Sequence, residues 1–372
     1  MGFNEVEACV KEWLEIDKGK NTIKINHNRF GIRQTSDKSI PIERNDKVLS
    51  IYKKINGMVI KKKKTLLITG SGGYLGQNVI NELLKSNSDS FEIWAFDLDK
   101  SKLKQLFDGR VQSCFDIEDL EKGRVQLGNI DILLHFGFAR SHYTNSEIAN
   151  SLQFTNGLFT RAVTNHVPAI INISSQSVYG QKNESLCNEN TPVAPDTLLG
   201  QEKYASELLL QSLKRINNQL FFSSLRLGTI SSGSSGLVEG DLLPKIVRKA
   251  YEGKTIHLRN SIQELERLDI RDAVLAFLAM LESNPIIWKP IYNLGSCKIY
   301  KLIDIVEKIV EYAERYNGGK RSEIIVDEKE VTMKIGMDCS LFINDMGWKP
   351  KYDIGDTIDS IISYYRITRL KL

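Results

Sequence analysis

The chain has 372 residues, 41% of them hydrophobic and 26% charged, a composition that can bury a substantial core in one large α/β unit or two domains. Fifty basic residues against 46 acidic leave a net charge of +4, too small and too dispersed to mark nucleic acid or an anionic membrane as the main partner. Cys9, Cys114, Cys187, Cys297 and Cys339 are odd in number, scattered and free of any C-x-x-C. Neither a zinc site nor a disulfide framework is indicated, no metal is expected, and a reducing cytoplasm fits best.

Residues 1–60 stand apart. Val6, Val10, Trp13 and Leu14 recur at helical spacing, NTIKINHNRFGIRQ offers strand-like alternation, and residues 47–58 read as helical again. No chemical motif lies here, and the MGFNEVEACVKEW start has no apolar signal core. No run in the chain approaches the roughly 18 apolar residues a membrane span needs. The KKKK run at 61–64 reads as a solvated lead-in to the next strand.

From Thr65 the texture changes to short apolar runs alternating with amphipathic stretches: TLLITG, FEIWAF, RVQSCF, IDILLHF, AIINISS and LFFSSLRL. Such runs, separated by helix-length segments, predict parallel strands buried on both faces by crossover helices, a doubly wound sheet. After residue 230 the strands stop coming regularly. SSGSSG at 231–236 reads as a flexible break, LLPKIVRKAYEG as a helix, IHL as a short strand, and Asp272 as the cap of an AVLAFLAML helix. A GWKP turn precedes a last helix over 354–365. This part is expected to form a smaller lobe over the carboxyl edge of the sheet, where ligands bind in such folds.

TLLITGSGGYLGQNVINELL places Gly70, Gly73 and Gly76 between an apolar strand and an amphipathic helix. Glycine permits the tight turn and close approach of backbone to a pyrophosphate, and the helix N-terminus attracts its charge. WAFDLD supplies Asp97 at the end of the second strand. A carboxylate there hydrogen-bonds both adenosine ribose hydroxyls and repels a 2′-phosphate, which predicts NAD over NADP. Asp116, after the third strand, either meets the adenine amino group or is an ordinary turn aspartate.

In order along the chain, TGSGGYLG, Asp97, Asp116-Ile117, LLHFGFARSH, ISSQSVYG, TPVAP…GQEK…E, SLRLG, YNLGS and MGWKP resemble the extended short-chain dehydrogenases/reductases of the nucleotide-sugar epimerase/dehydratase group. The resemblance covers about residues 65–366 and leaves out 1–60. It implies a Rossmann sheet with a substrate lobe: an extension at 1–60, an NAD-binding domain at 61–230, and a substrate lobe at 231–372 interleaved with it. It places Tyr74 and Leu75 with the glycines, and Asp116 with Ile117, at the cofactor. The backbone of His135, Phe136 and Gly137 would line the cofactor, Ser175 would be the catalytic serine, and Lys203 would hold the nicotinamide ribose.

In that family a tyrosine four residues before the lysine takes the proton of a sugar hydroxyl, and positions four apart share a helix face. Here Thr191, Pro192, Pro195, Gly200, Lys203 and Glu207 keep the family's spacing, and Leu199 stands at the tyrosine position. Leucine has no proton to exchange. Tyr179, His142 in the loop after the fourth strand, and Lys203 itself are the candidate substitutes, with Tyr179 also readable as pocket wall and His142 as a solvated loop residue. Gln176 and Ser177 replace the Asp-Glu pair of the family's dehydratases, Thr229 lies where the family often has Asn, and SSGSSG replaces its usual turn. Arg259, Arg267 and Arg271 are candidates for a nucleotide diphosphate or for surface ion pairs. The resemblance implies a homodimer through the helix carrying 200–210. Three functions stay open: an NAD-dependent enzyme on a nucleotide-activated sugar with an atypical acid/base, a catalytically silent NAD-binding relative that regulates or scaffolds, or a plain reductase or lyase on a non-nucleotide substrate.

Overall fold

The computed structural model describes residues 63–86, 90–140, 143–180, 186–327 and 334–369, together with the backbone of three short N-terminal strands. The chain divides into two units, 1–63 and 64–372. The first contains an antiparallel sheet of β1 (Leu14–Asp17), β2 (Thr22–Ile25) and β3 (Ile40–Pro41), with β2 central. The alternation of NTIKI forms a strand, whereas Leu14, expected on a helix, lies in β1 paired with Ile25. The helix expected at 47–58 lies outside the described residues.

In the second unit every predicted apolar run becomes a strand: β4 (Lys64–Thr69), β5 (Phe91–Phe96), β6 (Ser113–Phe115), β7 (Ile132–His135), β8 (Ala169–Ser175) and β9 (Phe221–Leu227). Shorter strands follow, β10 (Ile230–Ser231), β11 (Ile256–Arg259), β12 (Glu264–Glu266) and β13 (Leu268–Asp269). Then β14 (Ile291–Leu294) returns to the main sheet beside β9, before β15 (Ile299–Lys301), β16 (Ile324–Asp327) and β17 (Lys334–Ile335). The main sheet is parallel with order β14-β9-β8-β7-β4-β5-β6. Its order reverses between β4 and β7, and the crevice at the carboxyl ends of those two strands is where such sheets bind ligands.

The helices are α1 (Tyr74–Lys85), α2 (Lys100–Phe107), α3 (Ile117–Glu121), α4 (Asn145–Thr164), α5 (Leu198–Ile216), α6 (Leu242–Tyr251), α7 (Ile270–Glu282), α8 (Leu302–Tyr316), α9 (Ser340–Met346) and α10 (Ile354–Arg369). Because successive strand residues point to opposite faces, Leu66 and Ile68 pack with Val79, Ile80 and Phe277 on one side. Leu67 and Leu133 pack with Phe159, Leu210 and Leu213 on the other. Each such fully buried aliphatic side chain contributes about 1.5–3 kcal/mol. A third core holds α6, α8 and α10 together through Val247, Val306, Ile309 and Ile358.

Three expectations need correction. The 231–236 stretch is anchored, not a loose break: Tyr74 Oη donates to the Ser232 carbonyl at 2.6 Å, Ser235 Oγ to Gln77 Oε1 at 3.0 Å, and Gly233 N to Ser360 Oγ at 2.9 Å. Small residues that read as flexible in isolation are here what lets the chain pass between α1 and α10. Likewise α7 begins three residues earlier than expected, with Asp269 as its cap, accepting from Arg271 N. The Asp272 carboxylate instead accepts the backbone N–H groups of Lys351 and Tyr352. The last helix extends beyond residue 365, to Arg369.

Candidate dinucleotide and substrate site

The apolar strand β4 runs straight into the glycine turn. Gly70 has a φ of +69°, and a β-carbon there would stand 2.8 Å from the backbone of Phe136 and Gly137 at the end of β7. At Gly76 a β-carbon would stand 2.3 Å from the Gly70 carbonyl oxygen. Gly73 N closes the turn on Gly70 O at 3.0 Å. Gly73 is then the N-cap of α1, and no side chain caps that helix. The first-turn N–H groups, those of Tyr74, Leu75 and Gly76, have no partner within the helix, so an uncapped, glycine-lined helix start faces the topological switch point. That is the cradle a pyrophosphate needs, and the residues present fit a dinucleotide.

The Tyr74 ring anchors the 231–236 stretch through its hydroxyl, and burial of the ring raises its pKa. Leu75 and Phe136 pack against the core beneath the turn. His135 is wholly buried, with Nδ1 2.7 Å from Thr69 Oγ1 and Nε2 2.9 Å from Thr155 Oγ1. Burial pushes its pKa down to about 3, so the ring is a neutral spacer inside the sheet and only its backbone is placed to face a ligand.

Asp97 follows β5 directly, beside the turn. Its Oδ2 accepts from Gly72 N at 2.6 Å and its Oδ1 from Leu98 N at 2.7 Å. Asp116 is the N-cap of α3, accepting from Asp119 N in a reciprocal capping box. Ile117 follows it and packs into the second core.

Across the crevice, Ser175 ends β8 and opens a 3-10 turn, Gln176–Tyr179. Its Oγ lies 2.6 Å from Ser177 Oγ. Helix α5 begins under this turn, capped by Thr197, with Gly200 packed on the Ser177 carbonyl. This brings half-buried Leu199 and, one helical turn on, buried Lys203 to the same edge. Lys203 Nζ donates to the Ile173 carbonyl at 2.6 Å and lies 3.8 Å over the Phe138 ring. Burial lowers its pKa to about 7.

Tyr179 stands deeper, as a structural member. Arg226 Nη1 donates to Tyr179 Oη at 2.9 Å, and that hydroxyl lies 2.7 Å from Asn293 Oδ1. Burial pushes the phenol up to about 12, far from a base near neutral pH. Arg226 in turn pairs bidentately with Glu207, at 3.0 and 2.8 Å. Burial opposes the arginine's charge, but these bonds outweigh it and hold Arg226 above its ordinary range. His142 lies outside the described residues.

On the substrate side the three arginines separate. Arg271 is committed to Asp269 through two 2.8 Å bonds and stacks on Tyr352. Arg259 is exposed on β11. Arg267 immediately precedes β13, whose Leu268 N donates to the Thr229 carbonyl at 2.9 Å. Its Nε is buried without a partner, and burial pushes the guanidinium down to about 10. Gln176 Nε2 donates to Thr229 Oγ1 at 2.9 Å while its Oε1 is also buried and unpartnered. Glu202 Oε2 is a third such atom, with its carboxyl raised by burial. Glu202 carries no local sequence signal, Glu207 stands out only through its spacing from Lys203, and the bonds that join Arg226 to Glu207 and Tyr179 connect segments distant in sequence.

The parallel sheet, the uncapped glycine-lined helix and the acid after β5 define a dinucleotide-binding α/β protein. The NAD dependent epimerase/dehydratase family matches residues 66–295, and the chain belongs to that family. It is 23% identical over 314 residues to a low-salt glycan biosynthesis protein of Haloferax volcanii, covering 81% of this chain and 98% of that protein. It is 26% identical over 273 residues to a trifunctional UDP-glucose 4,6-dehydratase/epimerase/reductase of Arabidopsis thaliana, spanning 68% of this chain but only 40% of that longer protein. Among solved structures, a UDP-glucose-4-epimerase of Stenotrophomonas maltophila with bound NAD and formylated UDP-arabinopyranose superposes with a TM-score of 0.70 at 18% identity, over 83% of this chain and all of that one. Among the described residues no helix is long and apolar enough to cross a membrane.

Proposed function

We propose that the protein is an NAD-dependent enzyme acting on a nucleotide-activated sugar, with Lys203 as the proton acceptor where the family has a phenol. The observation that carries this reading is the state of Lys203: buried, with no carboxylate partner among the described residues, and held near neutrality at about 7. An amine with that pKa is half deprotonated at physiological pH, the optimum for a general base.

Gly70, Gly73, Tyr74, Leu75 and Gly76 would hold the pyrophosphate of NAD, Asp97 the ribose hydroxyls, Asp116 and Ile117 the adenine end, and His135, Phe136 and Gly137 the wall beside it. NAD, when bound, supplies the acceptor for the hydrogen that leaves a sugar carbon with its electron pair. Lys203 takes the hydroxyl proton, and Ser175 orients the hydroxyl oxygen. Tyr179 positions the 3-10 turn that carries Ser175 rather than exchanging a proton. Arg267, half-buried, with Nη1 on the Glu266 carbonyl and its Nε buried without a partner among the described residues, is the arginine we assign to the substrate's diphosphate. Gln176 is an amide and cannot protonate a departing hydroxyl, which favours epimerisation or oxidoreduction over 4,6-dehydration. A homodimer through α5 fits the 43% exposure of Leu208, and a cytoplasmic site fits the free cysteines.

Leu199 favours a second reading, a silent NAD-bound relative with a regulatory or scaffolding role. Mass spectrometry of the purified protein for bound nucleotides, followed by assay with UDP- and dTDP-sugars, tests both. NAD together with turnover supports the enzyme, NAD without turnover the silent relative, and absence of NAD binding contradicts both.

A further inference from the structure

Three cysteines far apart in sequence gather in one place. Cys187 and Cys339 are buried in a small apolar cluster with Val178, Tyr179 and Met337, and half-buried Cys297 packs against it. Cys297 lies in the loop after β14 with a φ of +57°. Cys339 is the residue before α9 and is wholly buried.

One buried carboxylate sets their approach. Glu266 accepts from Cys297 N at 2.8 Å and from Met337 N at 3.0 Å, so the segments carrying the two thiols are tied to the same side chain. Cys339 Sγ donates to the Met337 carbonyl at 3.9 Å, and half-buried Cys297 packs against the same cluster. The neighbouring thiols act on each other in opposite senses, Cys297 lowered by Cys339 and Cys339 raised by Cys297 and by burial. The pair is asymmetric in access: the Cys297 residue is half-buried and reachable, whereas Cys339 is sealed. This is the arrangement of an attacking and a resolving thiol.

We propose that Cys297 and Cys339 are an oxidant-responsive thiol pair, converted by a peroxide into a reversible disulfide. Cys297 sulfur attacks the peroxide; an S–O bond forms, the O–O bond breaks, and the departing oxygen leaves protonated as water or an alcohol. Cys339 sulfur then attacks Cys297 sulfur, the S–S bond forms, and the remaining oxygen leaves as water. Two thiols lose two electrons and two protons, and one peroxide is reduced. Cys187 is excluded as the attacking group because it is buried and burial raises its thiol.

The disulfide would join the loop after β14 to the segment before α9. Asn293, at the end of β14, bridges these parts, donating to the Cys187 and Asp338 carbonyls at 2.9 and 3.1 Å and lying against Tyr179. Oxidation would therefore stiffen the support behind the 3-10 turn. The proposal does not depend on which sugar, if any, the protein converts.

The test is peptide mapping of the full-length chain after hydrogen peroxide, with free thiols alkylated before digestion. The expected result is a Cys297–Cys339 linked peptide, with both thiols lost to alkylation and both recovered by dithiothreitol. Cys114 on β6 should remain alkylatable as an internal control. In Cys339→Ser, a sulfenic-acid probe should trap Cys297; in Cys297→Ser, Cys339 should stay reduced. A cross-link through Cys9, Cys114 or Cys187, or oxidation of Cys297 to sulfinic acid without a cross-link in wild type, would overturn the proposal. The wild-type map decides this even if a serine variant folds poorly.

Discussion

The Lys203 amine lies 2.6 Å from the Ile173 carbonyl oxygen, inside the sheet edge that also carries Ser175. The contact is to a neutral acceptor, not a carboxylate, so burial is not offset by a countercharge. The lysine's folded pKa is about 7 against an ordinary value of 10.5. Between those values the unfolded chain binds more protons than the folded one. The protein should therefore gain stability as pH rises from about 7 towards 10.5, by at most about 1.4 kcal/mol per pH unit. Lys203→Met should flatten that rise. Urea unfolding of both proteins across the window measures it, and parallel profiles would contradict the assignment.

Asp97 lies beside the glycine turn with both oxygens bonded to loop N–H groups, and we assign it to the adenosine ribose. NAD should bind more tightly than NADP, because a 2′-phosphate meets like charge there. Asp97→Asn should narrow the preference, with a modest fall in melting temperature because the amide can accept from only one of the two loop N–H groups. Calorimetry that shows equal affinities in the wild type removes Asp97 from the ribose.

Gly70→Ala should abolish dinucleotide binding. The new methyl group would meet the Phe136–Gly137 backbone at 2.8 Å, in a left-handed conformation. Strain of this kind costs about 1–3 kcal/mol, a visible drop in melting temperature. Fluorescence titration with NADH reads the binding loss, and retained affinity would mean the loop does not contact the ligand.

The Arg226–Glu207 pair is sealed within the sheet and α5, with side chains 5% and 0% exposed. Glu207→Ala leaves a buried guanidinium unpaired and should cost about 3–5 kcal/mol. Denaturant unfolding should show it. A loss under 1 kcal/mol, on the order of a surface pair, would mean that the pair is hydrated in solution.

The main sheet and the cofactor turn were legible because their signals are local: an apolar run, three glycines, an acid at the next strand's end. The parts that were not legible depend on distant partners. Residues 291–294 are too short for a periodicity, and they join the sheet because β9 offers an open edge. Serine and glycine at 231–236 carry a composition of flexibility, yet Tyr74, Gln77 and Ser360 pin them. Asp272 looks like a cap until Asp269 takes that place and the chain at Lys351 and Tyr352 claims its carboxylate. Arg271 looks like an anion ligand until Asp269 occupies it. Leu199 is the opposite case, visible at once from spacing, with a meaning that rests on how Lys203 is buried four residues later.

That meaning is tested most directly by the pH dependence of sugar turnover in the NAD-loaded wild type and in Leu199→Tyr, across a panel of UDP- and dTDP-sugars. With Lys203 as the base, wild-type kcat/KM should rise through a midpoint near 7, and the added phenol should give no increase. A wild type that is silent at every pH, with activity appearing only in Leu199→Tyr, would contradict the account and leave the protein an NAD-binding relative that has lost its acid/base.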